Sequence, residues 1–82
     1  MYRTVISDAA LKDLENLPQN YQRLVLDRVA SLSRNPRPRG CKKLDDRFYR
    51  VRQGSYRIIY EVNERGLEIT VMKIKARREA YR

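Results

Sequence analysis

Residues 48–82 read FYRVRQGSYRIIYEVNERGLEITVMKIKARREAYR, and this stretch decides the fold. Gln53-Gly54-Ser55-Tyr56 has Gly-Ser at its centre, the signal for a tight type II′ hairpin turn. That turn pairs Gln53 with Tyr56. Arg52 then faces Arg57, Val51 faces Ile58, Arg50 faces Ile59 and Tyr49 faces Tyr60. One face of the hairpin becomes Tyr49, Val51, Ile58 and Tyr60, which suits packing on helices. The other carries Arg50, Arg52, Arg57 and Ile59. A slip of one residue would bury the arginines, so the register is well specified. Arginines opposed across strands repel one another. A fold that keeps such a cluster usually has an anion to put there, and with this composition RNA is the first candidate.

A further strand is expected over residues 67–75. If Asn63-Glu64-Arg65-Gly66 forms a type I turn closed by a left-handed glycine, Lys73, Lys75 and Arg77 join the Arg57 face. A four-residue loop would put Thr70 and Met72 there instead. The first register is preferred because it gathers charge onto one face. Residues 69–74 are apolar on both faces, as in a central strand.

Working outward, Tyr2 to Ile6 alternates weakly and reads as a short strand. Ser7 or Asp8 caps a helix over residues 8–17, in which Leu11, Leu14 and Leu17 recur. Pro18 stops it. Asn20 is expected to cap a second helix over residues 20–34. Its apolar stripe is Tyr21, Leu24, Val25, Val29 and Leu32, and its wet side includes Gln22, Arg23, Asp27, Arg28 and Ser31. The short link makes the helices antiparallel neighbours. Asn35-Pro36-Arg37-Pro38-Arg39-Gly40 breaks the helical half from the strands. The expected fold is α+β: two N-terminal antiparallel helices packed on a twisted, mainly antiparallel four-stranded sheet, in the order β-α-α-β-β-β. Residues 1–82 are read as a single domain, since 82 residues leave no room for a second core.

Composition bounds the function. Lys plus Arg number 19 against 10 Asp plus Glu, a net charge of +9, which predicts attraction to polyanions: nucleic acid, an acidic protein segment or a membrane surface. No apolar run approaches the ~18 residues that span a membrane, and no signal-peptide pattern opens the chain. A membrane role is therefore not expected. With no histidine and one cysteine, Cys41, neither a zinc site nor an internal disulfide is expected, nor any other cofactor. The free thiol fits a reducing cytoplasm.

Cleaving an RNA phosphodiester requires deprotonating the 2′-OH, stabilising the phosphorane charge and protonating the leaving 5′-oxygen. Arginine suits the second task because its planar fork binds phosphate oxygens in pairs. A lysine crowded by cations is a candidate for proton transfer. Glu61 and Glu68 fall toward the far end of the strands and read as surface residues. Tyr49, Tyr56 and Tyr60 read as core, whereas Tyr81 follows a charged run where no core pattern demands it.

These residues bear a family likeness. The strand, the helical hairpin, Tyr49-Arg-Val-Arg, Ser55-Tyr-Arg-Ile-Ile-Tyr-Glu-Val and Arg77-Arg-Glu-Ala-Tyr81 together resemble the RelE branch of the RelE/ParE toxin superfamily, over essentially the whole chain. The resemblance implies the toxin of a type II toxin–antitoxin pair, a ribosome-dependent endoribonuclease that cuts mRNA in the A site by 2′-OH attack. It implies that Arg50 and Arg52 grip RNA and aid proton transfer, that Arg57 stabilises the transition-state phosphate, that Arg77 lies near the leaving group, and that Tyr81 stacks on the substrate. Lys73, Lys75 and Arg78 are further RNA-binding candidates. It also implies an antitoxin with an acidic or amphipathic segment, in a hetero-oligomer, besides the ribosome and mRNA. Ala76 departs from the pattern, since relatives often carry His or Lys before this arginine, and it leaves the general acid and base open. The ParE branch shares the fold and inhibits DNA gyrase without cleavage, so that reading and a catalytically weakened RNA-binding toxin stand as alternatives.

Overall fold

The first element is a strand, β1 (Arg3–Ile6), and Ser7 follows it directly. The computed structural model describes residues 1–76; Arg77, Arg78 and Tyr81 lie outside the described residues. Ser7 caps α1 (Asp8–Glu15), its hydroxyl accepting from the Ala10 N–H at 3.2 Å. Ala10 and Leu14 are the residues α1 buries, while Leu11 stays exposed.

The second helix, α2 (Gln19–Leu32), begins one residue earlier than expected. Pro18, not Asn20, stands at the N-cap, and its carbonyl accepts from the N–H groups of Tyr21 and Gln22. Gln22 leaves the wet side and donates to the Leu17 carbonyl at 2.8 Å, in the link between the two helices. The apolar stripe is narrower than predicted. Val25, Val29 and Leu32 are buried, but Tyr21 and Leu24 are 38% and 44% exposed. Tyr21 sits at the rim, edge-on to Tyr56 with centroids 5.3 Å apart.

The remaining elements are strands: β2 (Lys42–Lys43), β3 (Phe48–Gln53), β4 (Tyr56–Asn63) and β5 (Glu68–Ala76). They form a five-stranded sheet in the order β1-β5-β4-β3-β2. β1 runs parallel to β5, and the other pairs are antiparallel. The strand beyond the expected four is β2, two lysines at the edge, too short to show any periodicity.

The β3–β4 hairpin has the register its turn dictates, with Gln53 opposite Tyr56 and Arg52 opposite Arg57. Gly54 has φ +61° and Ser55 stays in the negative-φ region, as a type II′ turn requires. The β4–β5 connection differs from the preferred turn. Asn63 pairs with Glu68, leaving a four-residue loop whose left-handed residue is Leu67 (φ 49°), not Gly66. That loop sets Thr70 opposite Glu61. A β-bulge then shifts the register: Tyr60 pairs with Val71 but Ile59 pairs with Lys73, so Met72 is the extra residue. The bulge brings Lys73 and Lys75 to the Arg57 face, opposite Ile59 and Arg57.

The core lies between the helices and the inner face of the sheet. Tyr60, Leu32, Ile58, Ile69, Val25, Val51 and Val71 are fully buried, each worth roughly 1.5–3 kcal/mol against exposure for a large apolar side chain. Tyr49 and Tyr60 stack with centroids 5.9 Å apart. The breaker segment is stapled over them. Tyr60 donates to the Pro36 carbonyl at 2.6 Å, and Arg37 Nε donates to the Tyr49 hydroxyl at 3.0 Å. Burial pushes the Tyr60 phenol above its ordinary range.

Candidate functional site

The outward face of the sheet carries charge in ranks set by strand pairing. Arg52, Arg57 and Lys75 stand side by side across β3, β4 and β5. The next rank runs Lys42, Arg50, Ile59 and Lys73. Six cations therefore stand in two adjacent ranks with one isoleucine among them. Of the residues the sequence singled out, Arg50, Arg52, Arg57, Lys73 and Lys75 are gathered here, while Arg77, Arg78 and Tyr81 fall outside the described residues. Lys42 was missed. Its signal is only a pair of lysines before an apolar residue, and its place depends on pairing with Arg50.

Arg57 is half-buried at the centre of its rank. Its Nε is shielded from solvent and finds no hydrogen-bond acceptor among the described residues. An orphaned donor of this kind costs about 1–3 kcal/mol. Two further cations beside it, Arg52 and Lys75, add repulsion. An oxyanion in this place would relieve both costs.

The carboxylates of β4, β5 and the loop between them are already engaged. Glu61 lies 3.1 Å from Arg47, Glu68 pairs with Arg3, and Glu64 pairs with Arg37. Glu64 also accepts from the Tyr2 hydroxyl at 2.8 Å, and the Arg37 guanidinium, with that hydroxyl, holds its carboxyl below the usual range. All three stand toward the β4–β5 loop, away from the hairpin turn. Asp13 is the carboxylate that approaches the cluster, with Oδ2 3.7 Å from Lys73 Nζ. That oxygen also accepts the Ile74 N–H at 3.0 Å. The described face thus supplies converging positive charge, with no carboxylate left unengaged on it to take up a proton.

Among the described residues no group of three or more His, Cys, Asp or Glu is placed to hold a metal ion, and no helix is long and apolar enough to cross a membrane.

Comparison with known proteins adds the lineage. The family model for the ParE toxin of the parDE type II toxin–antitoxin system matches residues 5–81. The chain is 33% identical over 86 residues to the RelE1 toxin candidate of Methanocaldococcus jannaschii, across 99% of this chain and 96% of that one. Its fold superposes on the archaeal RelE–RelB complex of Pyrococcus horikoshii OT3 with a TM-score of 0.85 and 35% identity, covering 93% of this chain and 94% of that one. The RelBE2 toxin–antitoxin complex of Mycobacterium tuberculosis matches with a TM-score of 0.82 and 25% identity, covering 93% and 98%. The isolated E. coli RelE toxin is alike in fold alone, with a TM-score of 0.82 at 18% identity over 93% of this chain and 84% of that one.

Proposed function

The chain belongs to the ParE toxin family of type II toxin–antitoxin systems, within the RelE/ParE superfamily, and from that premise we propose that it is a ribosome-dependent endoribonuclease of the RelE kind. It cuts mRNA in the A site by 2′-OH attack and so arrests translation. The observation that carries this reading is the rank Arg52–Arg57–Lys75 with its orphaned Arg57 Nε. Phosphoryl transfer needs converging positive charge where the phosphorane forms, and a preorganised cluster stabilises that charge without reorganising during the reaction. Arg57 is the group assigned to the transition-state phosphate. Arg50 and Arg52 hold the flanking RNA, with Lys73, Lys75 and Arg78 as further phosphate contacts. Arg77 serves the leaving group, and Tyr81 stacks on the substrate nucleotide. The relatives above 30% identity carry RelE names, which supports the RelE branch.

The described face is rich in charge and poor in proton carriers. Free protein is therefore expected to cut naked RNA slowly, the ribosome adding orientation of the 2′-OH. A toxin that acts on ribosomes would act in the cytoplasm, and that is the location proposed with this reading. Its other partner is an antitoxin whose acidic or amphipathic segment covers the basic face in a hetero-oligomer, as the solved relatives were captured with RelB partners.

The matching family model is named for parDE, which favours a second reading: a ParE-like protein that inhibits gyrase without cleaving. End-labelled mRNA incubated with the protein, with and without programmed ribosomes, decides between them. A-site cleavage by wild type and none by Arg57→Ala is the expected result. Intact mRNA together with blocked supercoiling by gyrase would move the function to the second reading. Intact mRNA with supercoiling unaffected, but RNA retained, would leave a catalytically weakened RNA-binding toxin.

A further inference from the structure

The bulge in β5 decides which way two lysines point. Up to Val71 the core-facing residues of β5 are Ile69 and Val71; after it the core-facing residue is Ile74. Alternation without the bulge would send Lys73 and Lys75 into the core and Met72 and Ile74 outward. The bulge lies where β5 loses a neighbour. β1 pairs with it only as far as Ile6 opposite Val71. Beyond that point no strand among the described residues pairs with β5 on this side, and α1 packs against it instead.

On the side away from β4, the groups that bond to the bulge come from the β1–α1 segment. The Ser7 N–H donates to the Val71 carbonyl at 3.0 Å. The Ser7 hydroxyl donates to the Met72 carbonyl at 3.2 Å while accepting the Ala10 N–H. Asp13 Oδ2 accepts the Ile74 N–H at 3.0 Å and lies 3.7 Å from Lys73 Nζ. One carboxylate oxygen therefore fixes the backbone just past the bulge and the cation that the bulge turns outward.

We propose that Asp13 is a positioning residue for the basic face, holding the β5 bulge through the Ile74 N–H so that Lys73 and Lys75 stand beside Arg57. This inference rests on the reading of that face as an RNA-cleaving site. It assigns Asp13 no contact with RNA. A carboxylate accepting a backbone N–H makes a short, charge-assisted bond, and a displacement of about 1 Å at a catalytic group can cost about a hundredfold in rate.

The test uses the full chain and three proteins: wild type, Asp13→Ala and Asp13→Asn. The asparagine keeps a side-chain oxygen able to accept the Ile74 N–H, whereas the alanine has none. In wild type, hydrogen exchange followed by NMR should find the Ile74 amide protected although no strand among the described residues lies on that side; rapid exchange there would overturn the proposal without any variant. Asp13→Ala should lose that protection, keep its far-UV circular dichroism, and cut mRNA on programmed ribosomes with kcat reduced at least about tenfold and KM changed less. Asp13→Asn should regain the protection and most of kcat. An alanine variant as active as wild type, or an asparagine variant as impaired as alanine, would refute the assignment. If wild type itself does not cleave, the nuclease reading falls. The latch is then judged by Ile74 exchange and by affinity for a short single-stranded RNA, which Asp13→Ala should weaken and Asp13→Asn restore.

Discussion

Arg52 and Arg57 are directly opposed across the β3–β4 hairpin, one pair in from the pair that closes the turn. Two guanidinium groups in that relation oppose the pairing that brings them together. Lys75 on the other flank of Arg57 adds to the repulsion. Function and stability therefore conflict at Arg57, and the conflict can be measured. Arg57→Ala should abolish growth arrest on expression while leaving the melting temperature unchanged or higher, by up to ~1 kcal/mol in stability. A variant that melts early and still arrests growth would contradict both halves of that expectation.

The same face sets a salt dependence. Binding of single-stranded RNA should weaken with salt, and Arg52→Ala or Lys75→Ala should each lower the slope of log affinity against log salt by about 0.7. Arg3→Ala is the control, because Arg3 is paired with Glu68 toward the other end of the sheet. Filter binding at several salt concentrations reads all of these slopes; a control that shifts as much as the face variants would mean the attraction is diffuse.

The breaker segment offers a prediction with a sign in pH. Tyr60 is buried and donates to the Pro36 carbonyl, and burial raises its pKa above the ordinary 10.0. The folded state keeps the phenolic proton where the unfolded state releases it, so the stability this gives is present below about pH 10 and is lost as pH rises further. Tyr60→Phe should cost roughly 1–2 kcal/mol near pH 8. The gap between the two proteins should narrow above about pH 10, as read by denaturant unfolding of both.

The hairpin turn supplies a local test. Gly54 has φ +61°, and a Cβ there would meet nothing within 4 Å. Gly54→Ala should therefore cost about 1–2 kcal/mol from backbone conformation alone. Ser55→Ala beside it should cost under about 0.5 kcal/mol. Equal melting temperatures for the two variants would argue against a type II′ turn.

The hairpin was legible in the sequence because turn and alternation agree: Gly54-Ser55 sets the register, and Tyr49, Val51, Ile58 and Tyr60 then share one face. The β5 register was only half legible. The sequence does contain a sign of the bulge, since the core-facing apolar residues change phase between Val71 and Ile74. What holds the bulge, Ser7 and Asp13, lies about sixty residues away in the chain, and no local pattern connects them. β2 escaped notice because two exposed residues carry no period. Tyr21 and Leu24 were misplaced because helical spacing marks an apolar arc, whereas burial depends on how much of that arc the sheet covers. The placement of Arg50, Arg52 and Arg57 followed from the hairpin register alone.

The carboxylates Glu61, Glu64 and Glu68 neutralise Arg47, Arg37 and Arg3 toward the β4–β5 loop, while Arg52, Arg57 and Lys75 cluster toward the Gly54 turn. Among these residues the unneutralised positive charge is thus offset along the strands toward the hairpin end. In the field of a polyanion this offset exerts a torque, and the molecule rotates while still diffusing. Encounters are therefore biased toward collisions that lead with the hairpin end, and the productive orientation is favoured before any surface is buried.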